Sequence, residues 1–300
     1  MNFEVAKVLN KINDPMFSDR EITLYVKRED LVHPVYGGNK FRKLKYNLIY
    51  ARENNFDTLW TFGGAFSNHI AATAYAGKKL GVKTIGVIRG DELKPSDEKL
   101  SKTLREAKAN GMQLKFISRS DYKRKYDDDF LNELRNEFGN AYIIPEGGSN
   151  EFALQGCREI VDDIEIDFDY IICPVGTGTT LLGIASGLKP YQTAVGIEVY
   201  KNENPQEENL EFLKHHPLEI KNYKLRPDSY RVENYSFGGY GKSTPELDTF
   251  CKDFSTNHNI TIEPVYTGKM FYGIFDLVKQ GYFPKASIIV AIHTGGLQYI

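Results

Sequence analysis

Short β-favouring runs alternate with longer stretches of helical periodicity along nearly the whole chain, and this alternation constrains the fold most. Strands are expected at 22–27, 58–62, 84–88, 114–117, 141–144, 170–174, 194–199 and 288–292. Helices are expected near 43–54, 68–80, 99–110, 128–138, 151–163, 179–186, 245–257 and 269–280. The pattern specifies an α/β protein of mostly parallel sheet with helices on both faces. A length of 300 residues suits one large α/β domain, or two modest ones sharing a cleft. No internal repeat or low-complexity linker is present. The polar stretch 202–211 reads as a solvated loop or surface helix.

Composition narrows the classes. Hydrophobic residues make up 41%, enough for a sizeable core, and the net charge is -2. No basic stripe or acidic block occurs, so neither nucleic acid nor an anionic membrane is expected as the main partner. The longest apolar run, 286–292, is too short to span a bilayer and reads as a buried strand. Cys157, Cys173 and Cys251 form no CxxC pair and no disulfide framework, which points to a reducing cytoplasmic setting. No metal site is expected. The N-terminal Met-Asn-Phe-Glu-Val-Ala-Lys lacks the pattern of a signal peptide.

Chemistry gathers at the strand ends, where open α/β sheets bind ligands. Gly176-Thr177-Gly178-Thr179-Thr180 follows an apolar strand and opens a helix. Glycines let successive N–H groups face one point, the helix N-terminus adds partial positive charge, and threonine hydroxyls add donors. That combination suits a phosphate. The loop is neither a Walker A loop nor G-x-G-x-x-G, because Leu181 stands where the third glycine would be. A tight strand-to-helix turn is the purely structural alternative. Gly63-Gly64-Ala65-Phe66-Ser67-Asn68-His69 repeats the arrangement, with Ser67 as helix cap. Glu146-Gly147-Gly148-Ser149-Asn150 is a third such turn, read as the cap of the next helix. Gly238-Gly239-Tyr240-Gly241 carries more glycine than a surface turn requires.

Gly37-Gly38-Asn39-Lys40 forms a helix entrance. A positive side chain near a helix N-terminus is electrostatically unfavourable, and that placement favours the neutral amine that attacks an aldehyde. An exposed surface lysine beside Arg42 and Lys43 is the competing reading.

Taken together, these pieces resemble the 1-aminocyclopropane-1-carboxylate deaminase/D-cysteine desulfhydrase family of fold type II pyridoxal-phosphate enzymes. The matching segments are 37–44, 67–69, 145–150, 176–180, 239–241, Pro-Val-Tyr-Thr-Gly-Lys at 264–269 and His-Thr-Gly-Gly at 293–296. Their order and spacing carry the specificity. The resemblance implies two open, mostly parallel α/β domains with the cofactor in the cleft between them. The small domain would be 45–150, and 1–44 with 151–300 would form the large one. Members usually pair as homodimers.

The resemblance also implies roles. Lys40 would hold pyridoxal 5′-phosphate as a Schiff base. Gly176, Thr177, Gly178, Thr179 and Thr180 would cradle the phosphate, with Lys43 in support. Asn68 would bond the ring oxygen and lie beside the substrate. Tyr266 would stack on the ring as a catalytic candidate, and Thr267 would face the ring nitrogen. Ser67 would grip the substrate carboxylate or assist proton transfer, and Tyr240 would lie over the substrate as a second catalytic candidate. His69 and Thr294 would help shape the pocket, His69 on the substrate side and Thr294 beside the cofactor. Ile70-Ala71-Ala72-Thr73 departs from the polar continuation of many members, which bears on the substrate rather than the cofactor.

The expected activity is α,β-elimination from a small amino acid, with D-cysteine as the leading substrate. Members that open the cyclopropane ring carry Glu where this chain has Thr267. A neutral neighbour leaves the ring nitrogen mostly unprotonated and the cofactor a weaker electron sink. The alternatives are 1-aminocyclopropane-1-carboxylate deamination, a nucleotide-binding oxidoreductase, and a non-catalytic amino-acid binder that kept the fold.

Overall fold

The structure is a computed structural model that describes residues 5–33, 37–93, 100–139, 141–200 and 225–297. The stretch 202–211 lies outside the described residues. The chain divides into two compact units, 1–42 with 154–300, and 43–153.

Among the described residues, the elements run β1 (Leu9–Ile12), α1 (Pro15–Asp19), β2 (Thr23–Lys27), α2 (Asn39–Glu53), β3 (Thr58–Gly63), α3 (Asn68–Leu80), β4 (Lys83–Arg89), α4 (Lys102–Ala109) and β5 (Gln113–Ile117). They continue with α5 (Arg119–Lys123), α6 (Asp128–Phe138), β6 (Ala141–Ile144), α7 (Glu151–Asp162), β7 (Tyr170–Val175), α8 (Thr179–Ser186), β8 (Thr193–Glu198) and β9 (Tyr230–Asn234). The last are α9 (Pro245–His258), α10 (Thr267–Lys279) and β10 (Ile288–Ile292).

The larger unit holds a sheet in the order β1-β2-β10-β7-β8-β9. Every pairing is parallel except the antiparallel edge strand β1 on β2. Side chains alternate between two cores. Ile289 and Ala291 pack into one with Ile172, Val195 and Phe271, while Val290 and Ile292 pack into the other with Ile171, Cys173 and Ile184. Burial on both faces is why these strands read as continuous apolar runs.

The smaller unit holds a fully parallel sheet, β5-β4-β3-β6. All six residues of β3 are buried. Trp60 and Phe62 pack with Tyr122, Phe130 and Leu134 from α5 and α6. Ile88 packs on the other face with Ile70, Ala74 and Leu104 from α3 and α4.

Local chemistry sets the helix boundaries. Asp127 starts α6 by accepting from the N–H groups of Asp129 and Phe130 at 3.0 and 3.2 Å. Ser101 caps α4 by accepting from Leu104 N–H at 3.1 Å, so that helix begins at Lys102 rather than at 99. Helix α2 begins at Asn39, four residues before the expected 43. Gly38, at φ +87°, is the turn that cannot be helical, and the residues after it are ordinary helix formers. β1, β9, α1 and α5 are not expected from the sequence pattern. β1 and β9 are edge strands with exposed positions occupied by Asn10, Lys11 and Arg231, which hides the apolar pattern.

Candidate active site

In the larger unit the carboxyl ends of β2, β10, β7, β8 and β9 lie along one edge of the sheet, and almost every expected site residue of that unit emerges there. From β2 the chain passes through Gly37 and Gly38 into α2. Gly38 N–H donates to Glu29 O at 2.6 Å and Asn39 N–H to Thr294 O at 3.3 Å. A Cβ on Gly38 would sit 1.9 Å from Thr294 O, so this approach admits only glycine. The glycine turn before Lys40 and the His-Thr-Gly-Gly turn after β10 are therefore packed as one piece.

Helix α2 is held at its start by a buried charge cluster. Arg42 donates to both Glu29 carboxylate oxygens, at 2.8 and 2.9 Å, and to Asp163 at 2.6 Å. Lys27 Nζ lies 3.0 Å from the same Glu29. Burial works against the Arg42 charge, and its bonds to Glu29 and Asp163 more than offset this, raising its pKa above the ordinary value. A Cβ on Gly156 of α7 would meet Arg42 O at 2.0 Å, so the two helices touch there through glycine. Lys40 is half-buried in the first turn, with Nζ 3.4 Å from Asn39 Oδ1.

Asn39 joins this lysine's turn to the glycine–threonine loop. Its Nδ2 donates to Thr180 Oγ1 at 3.0 Å. Gly178 takes φ +82° just before α8, and no side chain caps that helix. Thr179 and Thr180 are buried, and no acidic residue occupies the first turn. The first N–H groups of α8 thus open onto the loop, an arrangement suited to an anion. Gly176 faces two rings: a Cβ there would lie 3.4 Å from Tyr200 and 3.6 Å from Tyr266.

Tyr240 sits among the glycines after β9, between left-handed Gly239 and Gly241 at φ +125° and +67°. Its ring stacks on Tyr200 with centroids 4.9 Å apart and planes at 9°, and meets Tyr266 edge-on at 5.8 Å. Tyr266 immediately precedes α10, and Thr267 opens it.

Glu263 supplies the cap for α10. Its carboxylate accepts from the N–H groups of Val265, Tyr266 and Thr267 at 2.7, 2.9 and 2.8 Å. This remote cap explains a helix start two residues before the expected 269. Thr267 Oγ1 accepts from Glu263 N–H at 3.0 Å, and its own proton goes to Glu263, with Oε1 at 3.2 Å and the carbonyl at 3.5 Å. The hydroxyl proton is committed, so a further partner of Thr267 would have to be a donor. Burial pushes the Glu263 carboxyl up to about 7, against the pull of the backbone N–H groups.

Lys269 is fully buried in the first turn of α10 and donates to Val199 O, Ser236 O and Gly239 O at 3.3, 2.8 and 2.8 Å. Burial pushes its ammonium down to about 8, with the Glu263 carboxylate opposing the shift.

The smaller unit carries the remaining expected residues. Ser67 caps α3, with Oγ accepting from Ile70 N–H at 3.4 Å. That bond leaves the hydroxyl's own proton for another acceptor. Asn68 and His69 begin the helix, and buried His69 places Nε2 2.8 Å from Thr61 Oγ1. A Cβ on Gly148 would meet the His69 ring at 3.2 Å and Lys43 Cβ at 3.4 Å. Lys43, also buried, donates to Gly147 O at 3.2 Å. Asn150 accepts from Ala153 N–H at 3.0 Å and caps α7, the structural role expected of that turn.

Four residues here have no role in the sequence pattern: Asn39, Tyr200, Glu263 and Lys269. Asn39 and Lys269 lie inside the segments that carry the resemblance. Tyr200 and Glu263 lie outside them.

Comparison with known proteins identifies the family. Residues 14–295 match the family described as pyridoxal-phosphate dependent enzyme. A Pyrococcus horikoshii protein provisionally named 1-aminocyclopropane-1-carboxylate deaminase is 35% identical, over 91% of this chain and 84% of its own length. The Arabidopsis thaliana mitochondrial bifunctional D-cysteine desulfhydrase/1-aminocyclopropane-1-carboxylate deaminase is 28% identical, over 91% of this chain and 72% of its own. A crystal structure of an ACC deaminase homologue superposes with a TM-score of 0.81 at 30% identity, over 98% of this chain and 90% of that one. Among the described residues no helix is long and apolar enough to cross a membrane. This chain therefore belongs to the pyridoxal-phosphate dependent enzymes, in the fold type II group of 1-aminocyclopropane-1-carboxylate deaminases and D-cysteine desulfhydrases.

Proposed function

We propose that the protein is a lyase that removes the Cα proton of a small amino acid and expels a β-leaving group, with D-cysteine as the leading substrate. The observation that carries the cofactor site of this reading is the Asn39–Thr180 bond, which ties the turn bearing Lys40 to an uncapped helix N-terminus, and the choice of elimination rests on neutral Thr267. An amine and an anion cradle linked in this way fit an aldehyde that carries a phosphate. The rings of Tyr200 and Tyr266 beside Gly176 suit a flat heterocycle.

Lys40 would hold the cofactor covalently. Gly176, Thr177, Gly178, Thr179 and Thr180 would bind its phosphate, and Lys43 and Asn68 are the remaining proposed ligands. Pyridoxal phosphate bound there supplies an electron sink for the pair left when the Cα–H bond breaks. The chain's own groups position and protonate. Ser67 has a hydroxyl proton to offer a substrate carboxylate, while its lone pair takes the Ile70 N–H. Tyr240, on its glycine loop, would bring a phenol to the substrate side. Elimination from D-cysteine would release pyruvate, ammonia and sulfide.

Ring opening of 1-aminocyclopropane-1-carboxylate is the second reading, and Glu263 favours it. Thr267 is neutral, yet its hydroxyl bonds the buried Glu263 carboxyl, so a donor facing Thr267 has behind it an acid that is ionised above about pH 7. The name of the Pyrococcus horikoshii relative points the same way, while that of the Arabidopsis relative names both activities. The deciding assay compares pyruvate release from D-cysteine with α-ketobutyrate release from the cyclopropane substrate. Turnover of D-cysteine should dominate; efficient turnover of the cyclopropane substrate with none of D-cysteine would overturn the first reading.

A further inference from the structure

We propose that Lys269 is a positioning residue that acts as a built-in monovalent cation, fixing the backbone beside Tyr200, Tyr240 and Tyr266. The placement is costly on two counts. The ammonium is fully buried, and it lies in the first turn of α10, where the helix dipole disfavours positive charge. Among the described residues its hydrogen-bond partners are main-chain carbonyls alone. An ammonium has three protons, and here all three are used.

The acceptors come from separate places. Val199 follows β8 and precedes Tyr200. Ser236 and Gly239 belong to the loop that ends at Tyr240. Gly239 N–H donates to Ser236 O at 2.9 Å and Lys242 N–H to Gly239 O at 3.1 Å, so the loop is two successive turns whose carbonyls also converge on Nζ. Tyr266 stands three residues before Lys269 in the chain. One charge thus holds the main chain next to all three rings, two of them stacked 4.9 Å apart. Convergent backbone carbonyls are also the ligands that replace the hydration shell of potassium. The site is chemically that of a monovalent cation, occupied by a side chain.

This inference rests on the proposed substrate-side role of Tyr240 only for its effect on turnover. The test uses Lys269→Ala, which removes the ammonium and leaves room for a small cation. Near-ultraviolet circular dichroism of the tyrosines and turnover are followed in tetramethylammonium chloride, then in potassium, ammonium or n-propylammonium chloride at matched ionic strength. In tetramethylammonium the tyrosine signal should collapse and kcat should fall by about tenfold or more, as expected when buried carbonyls lose a charged donor. A smaller cation should restore both. Unchanged signal and kcat, or a loss that no cation repairs, would overturn the proposal. Should the variant not fold in any salt, the unaltered protein decides. With lysine-¹⁵N labelling, the ammonium resonance lost in Lys269→Arg should exchange its protons slowly, and rapid exchange would overturn the proposal. Tyr240→Phe keeps the two failures apart. Full turnover in that variant, alongside cation-dependent ring packing in Lys269→Ala, would leave the positioning role standing and remove Tyr240 from the chemistry.

Discussion

Thr180 shows how much one side chain carries in this site. It is buried, opens α8 and takes a hydrogen bond from Asn39. Thr179 beside it is buried as well, with its hydroxyl 3.3 Å from that of Thr177. If these hydroxyls bind a phosphate, Thr179→Val and Thr180→Val should each cost roughly 1–2 kcal/mol of cofactor binding. That corresponds to about tenfold in affinity. Equilibrium titration of the apo-protein with pyridoxal phosphate checks the expectation, and unchanged affinity in both variants would remove the loop from the site. These residues were legible from the sequence because glycine and threonine crowd a strand end. Lys269 was not, because its acceptors lie 30, 33 and 70 residues away. Nothing local in Thr-Gly-Lys distinguishes a buried clamp from a surface lysine.

Helix α10 shows the same contrast for an element. Its apolar face was legible, while its cap was not, since Glu263 reaches forward over Pro264 to the Val265, Tyr266 and Thr267 N–H groups. That carboxyl titrates at about 7 in the folded protein, above the ordinary 4.5. Between those values the folded chain holds a proton that the unfolded chain has lost. The group's stabilisation is therefore complete below pH 4.5 and is lost as pH rises through 7. Compared with Glu263→Gln, which does not titrate, the native protein should lose on the order of 3 kcal/mol of stability from pH 4.5 to 8. Urea unfolding of both proteins across this range measures the difference, and a pH-independent gap would contradict the burial argument. In the larger sheet legibility followed position. β7 and β10 are covered on both faces and read as apolar runs, whereas the edge strands β1 and β9, with exposed polar residues, do not. In the smaller sheet the edge strands β5 and β6 were legible as well.

At the scale of the whole molecule, each unit repeats one device: a largely or wholly parallel sheet, several of whose strands end in glycine-containing turns that lead into helices. The family match spans residues 14–295, so the architecture follows from nearly the whole chain rather than from one motif. Fold alone does not choose the chemistry, because the same scaffold serves many reactions. The proposed chemistry turns on a lysine in the first turn of α2, beside an asparagine that bonds the uncapped N-terminus of α8. The most direct test concerns that lysine. Borohydride reduction of the purified protein, followed by peptide mapping, should find the pyridoxyl group on Lys40, and Lys40→Ala should lose both the label and the visible absorption band. A pyridoxyl group on Lys43 or any other lysine, or a full absorption band in Lys40→Ala, would contradict the assignment.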